Sequence, residues 1–227
     1  MDMIPQECMN APFHSTYIAK NVQSEICQTL ILKQNVFKAM DQLEGWCSLD
    51  KASILVDLVL ALKPHVVIEI GVFGGKSLVP MAFALKHNNR GKIYGIDPWI
   101  ASISAEGMTP EHAEWWNSID HEQIMQTLIT RIGEFELNDY IQLLRKTSED
   151  AKVSKKIDLL HIDGNHSAET SYFDVTKWVP LVRSGGIIIF DDLDWDTTVN
   201  AVEWLNTHCI KVAEIKSTNI WGIWLKP

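Results

Sequence analysis

The sequence predicts an α/β fold, a doubly wound and mostly parallel sheet of seven strands with an antiparallel last strand. Three observations predict it. After residue 50, short β-branched runs alternate with helix-forming segments, the pattern of βαβ units with right-handed crossovers. Runs such as HVVIEI at 65–70 and IIIF at 187–190 are nearly continuously apolar, as strands buried on both faces are. The runs also end on glycine or aspartate, at Gly71, Asp97, Asp163 and Asp191. Open α/β sheets place their ligands at those carboxyl ends.

Each element follows in order. Residues 51–62 (KASILVDLVLAL) form a helix with one broad apolar face, stopped by Pro64. Strand one is 65–70. A helix follows over 75–86, and 88–91 is a turn. Strand two, 92–96, ends at Asp97. Strands three and four are 140–144 and 157–162. A helix over 168–179 is ended by Pro180. Gly185 and Gly186 open strand five, 187–190. A helix over 197–206 precedes two last strands, 209–214 and 219–225.

Two regions stand outside this alternation. Residues 1–50 read as an N-terminal helical cap on a domain of 51–227. Residues 98–120 form an insertion after strand two that carries Trp99, Trp115 and Trp116. Loops of that length in compact domains are commonly functional lids, and the aromatic content argues against disorder.

Composition narrows the function. The chain has 227 residues, of which 46% are hydrophobic and 22% charged, enough for one large domain with a full core. The formal net charge of −9 opposes general nucleic-acid binding. Lys152, Lys155 and Lys156 lie among Glu149, Asp150 and Asp158 and read as a solvated turn. No run approaches the roughly 18 apolar residues of a membrane span. Residues 1–10 lack the basic flank and apolar run of a signal peptide, so a cytoplasmic protein is expected. Cys8, Cys27, Cys47 and Cys209 form no CxxC pair and read as reduced thiols.

The turn after strand one is Glu69-Ile70-Gly71-Val72-Phe73-Gly74-Gly75-Lys76-Ser77. Its glycines allow positive φ and close backbone approach, and a helix start at Ser77 offers free N–H groups to an anion. A phosphate-binding P-loop needs glycine where Ile70 stands, and a dinucleotide fingerprint needs glycine where Phe73 stands. An acid two places before a glycine-rich turn matches a third motif, that of S-adenosylmethionine-binding domains. A purely structural glycine turn also fits. Asp97 lies 22 residues after Gly75, close to the roughly 20-residue step at which an acid meets ribose hydroxyls.

Strand four ends at Asp163-Gly164-Asn165-His166, and strand five at Asp191-Asp192. Neighbouring strand tips lie about 5 Å apart, so three carboxylates converge on one rim of the sheet. A divalent cation relieves their repulsion, and oxygen ligands suit Mg²⁺, Mn²⁺ or Ca²⁺ rather than zinc. The alternative is that Asp191 and Asp192 cap the next helix. His166 has the chemistry to take a proton from a hydroxyl substrate. His161, inside the strand, reads as structural.

The segments VVIEIGVFGGKS, IYGIDPW and LLHIDGNHSAETSYFDVTKWVPLVRSGGIIIFDD together resemble the class I S-adenosylmethionine-dependent methyltransferases. They are most similar to the small cation-dependent O-methyltransferases, in the bacterial subgroup of macrolide-sugar O-methyltransferases and cephalosporin-hydroxylase-like proteins. Catechol and caffeoyl-CoA O-methyltransferases resemble the chain more distantly. The resemblance spans about 45–225 and implies a Rossmann-like fold. It implies that Glu69, Gly71, Phe73 and Gly75 hold the methionine end of S-adenosylmethionine, that Ser77 binds its carboxylate, Asp97 its ribose, and that Ser148 lies on the adenine side. Asp163, Asp191 and Asp192 match the metal ligands, Mg²⁺ being the first choice, with Asp163 also beside the cofactor. His166 falls where plant and animal relatives carry a lysine base. Those relatives commonly have Asp-Asn where this chain has Asp191-Asp192.

The resemblance implies methyl transfer to a hydroxyl of a diol-like small molecule, with the 98–120 insertion as a lid over the acceptor and a homo-oligomer among the possible assemblies. Three other readings compete with it. They are a metal-independent methyltransferase, a cofactor-binding homologue without transfer, and a nicotinamide oxidoreductase, which the missing third glycine disfavours.

Overall fold

The structure, a computed structural model, describes residues 17–227. The expectations for residues 1–16, including the start of the cap and the thiol of Cys8, lie outside the described residues. The chain runs α1 (Tyr17–Met40), α2 (Leu49–Leu62), β1 (Val66–Ile70), α3 (Leu78–Asn88), β2 (Lys92–Asp97), α4 (Ala101–Ser104), α5 (Pro110–Ser118) and α6 (His121–Glu134). It continues β3 (Ile141–Arg145), β4 (Ile157–Ile162), α7 (Ala168–Trp178), β5 (Val182–Phe190), α8 (Val199–His208), β6 (Ile210–Lys216) and β7 (Ile220–Leu225).

The seven strands form one sheet in the order β3-β2-β1-β4-β5-β7-β6. The first five are parallel, and β7 runs antiparallel between β5 and β6. The order reverses between β1 and β4, so the crevice at that switch point is where a ligand is expected. Backbone bonds tie the strand tips together there: Gly71 N–H to Ile96 O at 2.9 Å, Asp163 N–H to Ile70 O at 2.8 Å, and Asp191 N–H to Ile162 O at 3.1 Å.

Side chains alternate across the sheet, and each face has its own core. Val67, Leu159 and Ile189 point to the face covered by α1, α2, α3 and α6. Val66, Ile68, Ile70, Leu160, Ile162 and Ile188 point to the face covered by α7 and α8. The same alternation sends Glu69, His161 and Asp191 to the first face. Residues 69 and 161 are paired in register on β1 and β4.

Local chemistry sets the helix ends. Ser48 caps α2 by accepting from Lys51 N–H, and α2 ends at Lys63 in the left-handed region before Pro64. Thr109, Asp120 and Ser167 cap α5, α6 and α7 in the same way. The helix expected from Gly75 starts three residues later, because Phe73 at φ 48° and Gly75 at φ 80° cannot be helical. α6 has no counterpart among the expected elements. Its Met125, Leu128 and Ile132 form an apolar stripe that joins the core on the first face. β5 begins at Val182, ahead of the expected Ile187.

Candidate active site

The glycine turn owes its path to close packing. A Cβ on Gly71 would lie 1.9 Å from Asp163 O, and Gly71 has φ 82°. Asp97 holds the turn from strand two. Its Oδ2 accepts from Val72 and Phe73 N–H at 3.0 and 2.9 Å, and its Oδ1 from Trp99 N–H at 2.7 Å. Trp99 is 2% exposed, and its indole N–H donates to Phe73 O at 2.9 Å. It therefore belongs to the foundation of the turn, not to a lid surface. Ser77 turns its hydroxyl inward and donates to Glu69 Oε1 at 2.5 Å. Ser148 lies beyond β3, and its carbonyl accepts from Lys177 Nζ at 2.6 Å.

Above the turn, Phe73 meets two tryptophans, and a third packs on those two. Trp46 stacks on it with ring centroids 5.1 Å apart, and Trp116 meets it edge-on at 5.7 Å. Trp115 and Trp116 contact each other and Trp46. The insertion is thereby fastened to the glycine turn through aromatic edges.

The three acids expected around one point fall instead into two groups that share Asp163, one with Asp191 and one with Asp192, in unequal surroundings. Asp163 is partly exposed, its side chain at 30%, whereas Asp191 is buried. Lys51 Nζ contacts Asp191 Oδ2 directly and lies 3.5 Å from Asp163 Oδ2. His161 bridges two carboxylates, with Nδ1 2.8 Å from Glu69 Oε1 and Nε2 2.9 Å from Asp191 Oδ2. His166 Nε2 lies 2.5 Å from Asp192 Oδ2, and Asn219 donates to Asp192 Oδ1 at 3.1 Å. Ligating atoms of Asp163, His161 and Asp191 lie within 4.8 Å of one another, as do those of Asp163, His166 and Asp192.

These surroundings divide the proton affinities. Partial burial and the charge of Asp191 raise Asp163, against Lys51 and His161. Burial would raise Asp191 as well, but Lys51 and His161 hold it well below the usual carboxylate range. Lys51 is raised although burial opposes it, because Asp191 and Asp163 face its ammonium. His161 is raised to about 9, its two carboxylate bonds outweighing burial and the Lys51 charge. Asp192 raises His166 against the same penalty of burial. Burial pushes the Cys47 thiol beside this group up to about 12. Cys27, Cys47 and Cys209 are free thiols.

Beside the acids lies a cavity of about 240 Å³. His166, Trp195, Asp196 and Thr197 line it from the sheet, and Gly107, Thr109 and His112 from the insertion. Trp195 stands between the imidazoles of His166 and His112, at 4.8 and 5.6 Å between centroids. The insertion therefore walls the cavity with 107–112, while Trp115 and Trp116 turn toward the glycine turn.

Lys51, Trp46, Trp195 and His112 are absent from the sequence-derived site. Lys51 did carry a signal: it shares the helix face of Leu55 and Val59, where an ammonium requires a buried partner.

The sheet order, the glycine turn after β1 and the acids at the tips of β2, β4 and β5 define a class I S-adenosylmethionine-dependent methyltransferase domain, with a cluster able to hold a metal. The chain belongs to the family described as "Methyltransferase domain", whose model matches residues 68–193. A caffeoyl-CoA O-methyltransferase of Stellaria longipes is 28% identical over 153 residues, 64% of this chain and 53% of that protein. An uncharacterized Sinorhizobium fredii protein, y4gI, is 25% identical over 141 residues, 60% of this chain and 14% of that protein. The chain thus spans about half or less of these curated relatives.

Among solved structures, the O-methyltransferase TomG of Streptomyces achromogenes, in complex with SAM, superimposes with a TM-score of 0.59 at 16% identity, over 86% of this chain and 89% of that one. A Bacillus cereus O-methyltransferase in complex with SAH gives 0.58 at 16% identity, over 88% and 91%. The N-methyltransferase NodS of Bradyrhizobium japonicum gives 0.52 at 13% identity, over 78% and 95%. At these identities the likeness concerns the fold, which serves both oxygen and nitrogen acceptors. Among the described residues, no helix is long and apolar enough to cross a membrane.

Proposed function

We propose that the protein transfers the methyl group of S-adenosylmethionine to a hydroxyl of a diol-like small molecule, with a divalent cation, Mg²⁺ first, at the strand-tip acids. The observation that carries this reading is a pair of ligand groups that share Asp163, one with His161 and Asp191, the other with Asp192 and His166, the last of which lines the open cavity. Asp191 Oδ1 is buried without a hydrogen-bond partner, and Asp163 and Asp191 press their charges together. An orphaned carboxylate oxygen in an oxygen-rich cluster fits a hard cation. Asp163, Asp191 and Asp192 would hold it, and when bound it would lower the pKa of an acceptor hydroxyl.

The chain's own residues do the rest. The Gly71 turn, Ser77 and Glu69 bind the methionine end of the cofactor, Asp97 its ribose, and Ser148 lies on the adenine side. Asp97 already orders the amides of Val72 and Phe73, so the turn is preformed for its ligand. His166 faces the cavity and is oriented by Asp192, as a proton acceptor for the reacting hydroxyl must be. The insertion, which walls the cavity with Gly107, Thr109 and His112, would serve as the lid over the acceptor. The acceptor is a small hydroxylated molecule. In keeping with the acidic charge, we assign the protein no nucleic-acid or membrane partner and a cytoplasmic setting, with self-association open to test.

A second reading, metal-independent transfer, draws on Lys51, whose ammonium already neutralises part of the Asp163–Asp191 pair. Transfer of labelled methyl from S-adenosylmethionine to a panel of vicinal diols, with and without EDTA, separates the two. Turnover lost in EDTA and restored by Mg²⁺ is expected. Full turnover in EDTA would assign the pair to Lys51 alone, and no transfer to any diol would overturn the acceptor class.

A further inference from the structure

His161 joins the two halves of the site. It is fully buried, between Glu69 of the cofactor side and Asp191 of the acid cluster. Each of those carboxylates is fixed through one oxygen. Glu69 Oε1 receives His161 and the Ser77 hydroxyl, and Asp191 Oδ2 receives His161 and Lys51. Each keeps its other oxygen, Glu69 Oε2 or Asp191 Oδ1, buried and without a partner. Buried polar atoms are rarely left so, and the two orphans lie on the two carboxylates that flank one imidazole.

With a carboxylate oxygen at each nitrogen, the ring donates on both sides, since a bare nitrogen lone pair against either oxygen would repel it. An imidazole is rigid, so the two oxygens are held at a separation set by the ring. A shift of Glu69 turns the ring and moves the demand onto Asp191, and the reverse. The strand pairing enforces this, because residues 69 and 161 sit in register on β1 and β4.

We propose that His161 is a positioning residue that couples the two ligand sites: occupation of the cofactor turn fixes Glu69, and through the imidazole fixes Asp191 for a cation. By reciprocity, each ligand then raises the affinity for the other by the same factor. The inference rests on the cofactor and cation reading above, and binding measurements separate the two.

The test is calorimetric. S-adenosylhomocysteine and Mn²⁺ are each titrated into the purified chain, alone and with the other saturating. Mn²⁺ is expected to tighten S-adenosylhomocysteine binding by about fivefold or more, and the converse by the same factor. In His161→Phe the factor falls to within about twofold of one, a loss of the coupling range just given. His161→Gln keeps a polar group and reaches one carboxylate but not both, so a chain shown to be folded by circular dichroism should lose the coupling equally. A merely structural histidine would weaken both affinities and leave their ratio unchanged. A ratio near one in the unaltered chain, or an unchanged ratio in folded His161→Gln, overturns the inference. If either ligand fails to bind even with the other saturating, the underlying reading falls and takes the coupling with it.

Discussion

Trp46 stacks on Phe73 with ring centroids 5.1 Å apart and 26° between the planes, joining the segment before α2 to the glycine turn. Trp46 is nonetheless 64% exposed, so its contribution is contact with Phe73, Trp115 and Trp116 rather than burial. Trp46→Ala is expected to cost about 1 kcal/mol of stability, the worth of an aromatic pair. It should also weaken S-adenosylhomocysteine binding several-fold, because Phe73 and the insertion lose a common anchor. Thermal denaturation and calorimetry check both effects, and an unchanged affinity would confine the cluster to packing.

Lys51 is the partner that makes a buried Asp191 tolerable. Lys51→Met leaves that carboxylate with His161 as its remaining partner and is expected to destabilise the fold by about 3 kcal/mol, read from urea unfolding. The double variant Lys51→Met/Asp191→Asn removes the stranded charge and should recover most of the loss. Recovery of nothing would mean that Lys51 matters through packing on Trp221, whose ring lies 5.7 Å from Nζ, and not through its charge.

Two glycines should respond oppositely to alanine. Gly71→Ala drives a methyl group into the backbone of Asp163 at a positive φ, so loss of cofactor binding or of the fold is expected. Gly133, near the end of α6, has open space around a Cβ. Gly133→Ala should stabilise by about 0.5 kcal/mol, through helix propensity alone. Melting temperatures of the two variants give the comparison.

Asp174 gives the stability a pH dependence. It is buried in α7, both of its oxygens lack a partner, and burial raises it to about 7 against nearby Ser148 and Lys177. The native state thus keeps a proton that the unfolded chain releases near its ordinary value of 3.8. Stability from this group is complete below pH 4 and is lost as pH rises through 7. Asp174→Asn should flatten that slope and be more stable at pH 8, by on the order of 2 kcal/mol. Denaturant midpoints at pH 5 and 8 decide it. An equal gap between the two proteins at both values would show that Asp174 does not titrate in this range.

Much of the architecture was legible because strands buried on both faces write themselves as apolar runs, and their carboxyl ends write themselves as glycine or aspartate. Glu69, Gly71, Asp97, Asp163 and Asp191 could be placed on one rim from chain order and strand spacing alone. The late start of α3 and the presence of α6 were less legible. The first depends on the left-handed backbone at Phe73 and Gly75, and the second on an apolar stripe that only the sheet completes.

The one-dimensional pattern therefore determined the class of fold, the glycine turn and the acids at the strand ends, since these follow from local periodicity and from where strands end. Tertiary packing decided how those acids differ. Lys51 arrives from a helix 140 residues before Asp191, and His161 reaches both Glu69 and Asp191 across neighbouring strands. The energy of a charge depends on which groups face it in the folded chain, and neither composition nor spacing carries that information.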